Sequence, residues 1–140
     1  MNPILGIDFG RARIGLAISD ELRLLAHPLE TLPASKDAIK RIAEIIRERK
    51  IDEIVVGVPR HMSGEIGEAA KEALEFASRL RAQVSCPVET WDERLTTVAA
   101  ERALRGAGKK TRKTRHLVDQ VAAQMILQSY LDRERNVAAT

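Results

Sequence analysis

The chain has 140 residues, 44% of them hydrophobic and 31% charged, enough to enclose one hydrophobic core, so a single globular domain over residues 1–140 is expected. No apolar run reaches membrane-spanning length, and the opening Met1-Asn2-Pro3 lacks the basic-then-apolar pattern of a secretory signal. The lone Cys86 has no partner for an internal disulfide or a metal-ligand pair, so a cytosolic protein without membrane contact is expected.

The predicted elements begin with Ile4-Leu5-Gly6-Ile7, an apolar run that ends on Asp8 and reads as a buried strand. Arg13 to Ser19 reads as a second strand after a short glycine-flanked turn. Gly10 and Gly15 are assigned to permitting that turn and to a backbone lying close to phosphate. Leu22 to Leu32 is apolar enough for a third strand, and His27-Pro28 with Pro33 suits it to a sheet edge. Ser35 is an N-cap candidate for a helix to about Lys50, with Ile39, Ile42, Ala43 and Ile46 on one face. Glu53 to Val58 has the near-continuous apolar character of a parallel strand covered on both sides. A loop from Pro59 to Glu65 leads into a second amphipathic helix with Ile66, Ala70, Ala73, Ala77 and Leu80 inward. Val88 to Trp91 is a further strand, Thr97 to Arg105 a short helix, and Thr114 to about Arg133 a final helix. Three strands without intervening helices, followed by β-α-β-α units, predict an α/β fold: a mixed sheet with helices on both faces. The strand after the first helix should lie parallel to the first strand by a right-handed crossover. Sites in such sheets form at the carboxyl ends of central strands, where Asp8, the Pro59–Glu65 loop and Glu93 would emerge.

A carboxylate where a buried strand leaves its sheet is costly unless it holds a cation or a fixed donor. Glu93, in Asp92-Glu93-Arg94-Leu95-Thr96-Thr97, and Asp119 can join Asp8 from separate elements, which suggests a metal site. Hard oxygen ligands suit Mg²⁺ or Mn²⁺, and two such ions roughly 4 Å apart can activate a water and stabilise a leaving alkoxide in phosphodiester hydrolysis. On a helix, Asp119 has Ala122, Ala123 and Ile126 at i+3, i+4 and i+7. This small apolar face should lie close on the sheet, where an unpaired carboxylate is hard to explain without a metal. The plainer alternatives are that Asp8 caps a turn and that Asp119 pairs with Arg115 one helical turn earlier. Glu93 sits on a strand that is two places from the first, roughly 9.6 Å away at ordinary spacing. Asp92 faces elsewhere or caps the following helix, and Arg94 either clamps a phosphate or pairs with Glu93. Thr96 and Thr97 are read as caps of the short helix, and His61 and His116 as surface or structural residues.

The net charge of +3 is uneven. Seven of the 23 basic residues (Arg102, Arg105, Lys109, Lys110, Arg112, Lys113, Arg115) lie in one stretch without an acidic residue, which leaves 16 basic against 20 acidic residues elsewhere. With Gly106 and Gly108 this forms a basic loop suited to a polyanion, or an ordinary solvated loop. Aromatics at 3% exclude a platform of rings for base stacking, so nucleic-acid binding would rest on phosphate contacts.

The segments Gly6-Ile7-Asp8-Phe9-Gly10, Arg13-Ile14-Gly15-Leu16-Ala17 and Val55-Val56-Gly57-Val58-Pro59, then Met62-Ser63-Gly64, resemble the YqgF/RuvX family. Asp92-Glu93-Arg94-Leu95-Thr96-Thr97, Val118-Asp119, Ala122-Ala123, Ile126-Leu127 and Ser129-Tyr130-Leu131 continue the match in order over nearly the whole chain. The resemblance implies a ribonuclease H-like fold with a mixed five-stranded sheet, related to Holliday junction resolvases. It also implies a nuclease that processes the 5′ end of the small-subunit ribosomal RNA precursor. Asp8, Glu93 and Asp119 are then the catalytic and metal-binding carboxylates. Arg13, Arg94, Lys109, Lys110, Arg112 and Lys113 are the nucleic-acid contacts. The chain departs from the family at Ala12, where lysine is common, so that a basic contact near Asp8 would come from Arg11 or Arg13. It departs also at His61 and Ser63. Resolvase relatives carry their second carboxylate near the end of the strand matching residues 53–58. Here that strand ends in Gly57-Val58-Pro59, which assigns the role to Glu93 or, second, to Glu65. The other readings are a four-way DNA junction resolvase, which calls for a symmetric dimer, a catalytically silent nucleic-acid-binding module, and last an actin-like phosphotransferase fragment. Nothing in the sequence identifies a dimer surface.

Overall fold

The computed structural model describes residues 1–61, 63–96 and 112–139, with the backbone alone for 112–115 and 138–139. In chain order the elements are β1 (Ile4–Phe9), β2 (Arg13–Ser19), β3 (Ala26–Pro33), α1 (Ala38–Arg49), β4 (Glu53–Val58), α2 (Glu68–Gln83) and β5 (Val88–Asp92). A single 3-10 turn, Glu93–Leu95, follows β5, and the long helix α3 runs from Arg112 to Ala139. The strands form one five-stranded sheet in the order β3-β2-β1-β4-β5. The first three strands are antiparallel, and β4 and β5 run parallel to β1, the mixed sheet expected.

Strand alternation sends side chains to two separate cores. Leu5, Ile7, Ile14, Leu16, Ile54 and Val56 pack with α1 and α2 through Ile42, Ile45, Phe76 and Leu80. On the other face Ile4, Ala17 and Val55 pack with Ala122, Ala123, Ile126 and Leu127 of α3. Side chains of this kind each contribute about 1.5–3 kcal/mol on full burial. Asp8 shares the parity of Ile4 and Gly6 and therefore faces α3.

Several boundaries differ from expectation for local reasons. Leu22–Leu25 belong to a turn rather than to β3, because Asp20 Oδ1 accepts from the Leu24 and Leu25 backbone N–H groups. Pro28 is tolerated in β3 because the strand is at the sheet edge and pairs with Ala17 beside a register shift. Ser35 does not cap α1: its carbonyl accepts from Ala38 N–H in a preceding turn, and Asp37 is the N-cap. Ile66 precedes α2, whose N-cap is Gly67, and is exposed. The last helix is longer at both ends than its apolar pattern indicated. The short helix expected over 97–105 lies outside the described residues.

Candidate active site

Three glycines under α3 build the site. A Cβ on Gly6 would stand 2.7 Å from Leu127 Cβ, one on Gly57 2.5 Å from Ile126 Cδ1, and one on Gly15 2.1 Å from the Asp119 carbonyl oxygen. The missing side chains let α3 rest directly on the sheet. Gly15 is therefore a packing residue inside β2, and the expectation that it approaches phosphate is corrected. Gly10 does make the turn, donating its N–H to Arg13 O at 3.0 Å.

Asp8 pairs across the antiparallel ladder with Gly15. On its other side Ile7 is level with Val56, so the next residues along, Asp8 and Gly57, are neighbours. Asp119 sits over Gly15, and Glu93 Oε2 reaches to 3.0 Å from where a Gly57 Cβ would be. Asp8 thus lies between two glycines, with one carboxylate-bearing residue over each. Asp8 and Glu93 are 5% and 3% exposed. The strand spacing that separates β5 from β1 is bridged because Gly57, on the strand between them, leaves room for the Glu93 side chain.

The 3-10 turn fixes Glu93. Asp92 Oδ1 accepts from Arg94 N–H at 2.9 Å, and Thr96 Oγ1 donates to Glu93 O at 2.7 Å, closing the turn at both ends. Trp91 Nε1 donates to Ser129 Oγ at 3.1 Å and the Trp91 ring meets Tyr130 edge-on, which ties this end of β5 to α3. The Arg94 guanidinium bonds both Asp92 oxygens, and this contact holds the Asp92 carboxyl below its ordinary range. Of the two possibilities for Arg94, the printed ion pair is with Asp92 and not with Glu93. Arg94 also packs on the Gly64 loop, beside the mouth of the site.

Asp119 carries an ion pair, and its partner is neither Arg115 nor one suggested by the helix. Arg13 Nε donates to Asp119 Oδ2 at 2.7 Å, between side chains 32% and 13% exposed. The inference that Asp119 is an unpaired carboxylate is thereby corrected. Sequence reasoning missed this contact because the partners are 106 residues apart. Arg11, the other cation beside the Ala12 departure, is tied to Glu72 of α2 at 2.9 Å. Glu65 is exposed in its loop, as is His61, whose ring lies against Gly67. His116 supplies a backbone carbonyl to Thr31. Lys109 and Lys110 lie outside the described residues, and Arg112 and Lys113 are described only as backbone in the first turn of α3.

Among the described residues no group of three or more His, Cys, Asp or Glu side chains stands ready to hold a metal ion. The donor set nevertheless fits a hard divalent cation. Mg²⁺ keeps several waters and is commonly held by one or two carboxylates plus substrate phosphates. Asp8 and Glu93 are two buried carboxylates whose combined negative charge a cation offsets.

The sequence profile of the RuvX family, described as Holliday junction resolvase, matches residues 2–133. The chain belongs to the RuvX family. A RuvX relative from Chloroflexus aggregans is 50% identical over 135 residues, covering 95% of each chain. One from Geobacillus kaustophilus is 46% identical over 135 residues, covering 94% of this chain and 98% of the relative. Both carry the name of a proposed pre-16S rRNA nuclease. Among solved structures, Thermus thermophilus RuvC in complex with a Holliday junction substrate superposes with a TM-score of 0.59 at 20% identity, over 96% of this chain and 97% of that one. The fowlpox virus resolvase in complex with Holliday junction DNA gives 0.57 at 12% identity, over 94% and 98%. At these identities the likeness concerns the fold, and this RuvX-family chain has the ribonuclease H-like fold expected of it.

Proposed function

We propose that this RuvX-family protein is a divalent-metal-dependent nuclease that hydrolyses phosphodiester bonds, and that its substrate is the precursor of the small-subunit ribosomal RNA. The observation that carries the reading is the meeting of two almost fully buried carboxylates, Asp8 and Glu93, across Gly57 at the carboxyl ends of parallel strands. The rRNA precursor is favoured by the names of the relatives, which match this chain at up to 50% identity along nearly its whole length.

Asp8 and Glu93 would hold Mg²⁺ or Mn²⁺, with Asp119 as a third oxygen donor. The bound ions would supply an acidified water and charge stabilisation at the leaving oxygen. Asp8 is held by a central strand paired on both sides, so its carboxylate is oriented before substrate arrives. Glu93 is aimed by the closed turn, and Arg94 stands at the mouth where a backbone phosphate would pass. Lys109, Lys110, Arg112 and Lys113 supply further positive charge along the chain for a polyanion.

The deciding experiment is Asp8→Asn, which is nearly isosteric but a poorer metal ligand. The wild-type protein should shorten the 5′ end of the precursor in Mg²⁺, and the variant should not. The variant should also melt higher than wild type without metal, because one of two crowded carboxylates is gone, and should lose most of the Mg²⁺-dependent rise. Full cleavage by a well-folded Asp8→Asn protein would remove Asp8 from the reaction. The family profile and the resolvase fold favour a second reading, cleavage of four-way DNA junctions. Paired symmetric cuts in a synthetic junction, with an untouched rRNA precursor, would establish that reading instead.

A further inference from the structure

We propose that Arg13 is a latch on Asp119 that substrate opens: without nucleic acid its guanidinium occupies the third carboxylate, and a backbone phosphate draws it away and frees Asp119 for the metal. The proposal rests on the metal-dependent reading of Asp8 and Glu93 given above. Its basis is the 2.7 Å contact of Arg13 Nε with Asp119 Oδ2, on the face where Asp119 overlies Gly15, the ladder partner of Asp8. The Asp119 side chain is 13% exposed and the Arg13 side chain 32% exposed, so the carboxylate is enclosed while the cation still reaches solvent.

The electrostatics favour such an exchange. Three uncompensated carboxylates on one largely buried patch are mutually destabilising, and Arg13 relieves this in the metal-free protein. A guanidinium binds phosphate and carboxylate through the same planar fork, so moving from Asp119 to a phosphate replaces one charge-assisted pair by another. The released carboxylate is then compensated by the cation. This accounts for a described structure that contains no ready group of three metal ligands although three carboxylates lie on one face. Metal and nucleic acid bind with positive coupling as a result, and the coupling is reciprocal.

The test reads Mn²⁺ binding by titration calorimetry or electron paramagnetic resonance, without turnover. In the absence of nucleic acid, Arg13→Gln should bind Mn²⁺ roughly tenfold more tightly than wild type, within the 5–150-fold usual for coupled sites. A short 2′-O-methyl RNA should tighten wild-type binding and add much less to the variant. Removing any nearby positive charge also attracts a cation, so the decisive comparison is made in the Asp119→Asn background. There Arg13→Gln should bring no gain. A gain that persists without Asp119, or an Arg13→Gln protein that binds Mn²⁺ no better or more weakly than wild type, overturns the latch and leaves Arg13 as an orienting residue. Arg13→Lys, which keeps the charge but loses the planar fork, should give a smaller gain of the same sign and carries the test if Arg13→Gln folds poorly. Absence of any Asp8-dependent Mn²⁺ binding in wild type, with or without RNA, overturns the underlying metal reading as well, so the two failures are told apart.

Discussion

Gly15→Ala tests whether the close seat of α3 on β2 sets the site. The added Cβ would stand 2.1 Å from the Asp119 carbonyl oxygen and 2.5 Å from its carbonyl carbon, where ordinary contact begins near 3.4 Å. Both clashing atoms are backbone, so no rotamer change relieves them, and α3 must retreat by about 1.3 Å at Asp119, the difference between those two distances. Overpacking of this kind costs about 1–3 kcal/mol. In a chain of this size that corresponds to a fall in Tm of roughly 3–10 °C. The same retreat carries Asp119 away from Asp8, and a misplacement near 1 Å costs on the order of 100-fold in rate. The assay pairs a circular dichroism melt with cleavage of precursor RNA under single-turnover conditions. Gly57→Ala is the informative companion. Its Cβ would meet the flexible tip of Ile126 at 2.5 Å and Glu93 Oε2 at 3.0 Å, so it should lose activity with a smaller loss of Tm. Wild-type melting and full activity in Gly15→Ala would refute the packing argument and separate α3 placement from catalysis.

Replacing Lys109, Lys110, Arg112 and Lys113 with serine should weaken binding of unrelated RNA sequences about equally and flatten the dependence of affinity on salt, read by fluorescence anisotropy; an unchanged salt slope would make the stretch a bystander. The Asp92 carboxyl is held below its ordinary range by Arg94, so this pair stabilises the fold above the unfolded carboxyl value near ~3.9 and its contribution is lost as pH falls through the folded value. The Tm difference between wild type and Asp92→Asn should therefore be constant from about pH 5 to 8 and shrink below about pH 4; a difference independent of pH down to full acid unfolding would refute the charge argument. Tyr130→Phe removes the hydroxyl that donates to Glu53 Oε2 at 2.9 Å and should cost about 1 kcal/mol in urea unfolding with the slope unchanged.

The sequence by itself determined the order of the elements, the mixed sheet and the position of Asp8. These follow from local hydrophobic period and from where charge interrupts it: Ile4 to Ile7 can only be a buried strand, and Pro28 and Pro33 keep β3 at an edge whatever the rest of the chain does. Glu93 was legible as a candidate from its place just beyond β5. That it reaches Asp8 was not, because the reach depends on Gly57 of β4 leaving open the space between them. The choice of ionic partners was decided by tertiary structure alone. Asp119 pairs with Arg13 across 106 residues rather than with Arg115 on its own helix, and Arg94 turns to Asp92 rather than to Glu93. A charged side chain takes the partner that the packed backbones bring within about 3 Å, and sequence spacing supplies that distance only inside a single helix or turn. The seat of α3 over Gly6, Gly15 and Gly57 belongs to the same class. Each glycine reads locally as a weak strand residue, and its purpose exists only once a helix from the far end of the chain lies on it.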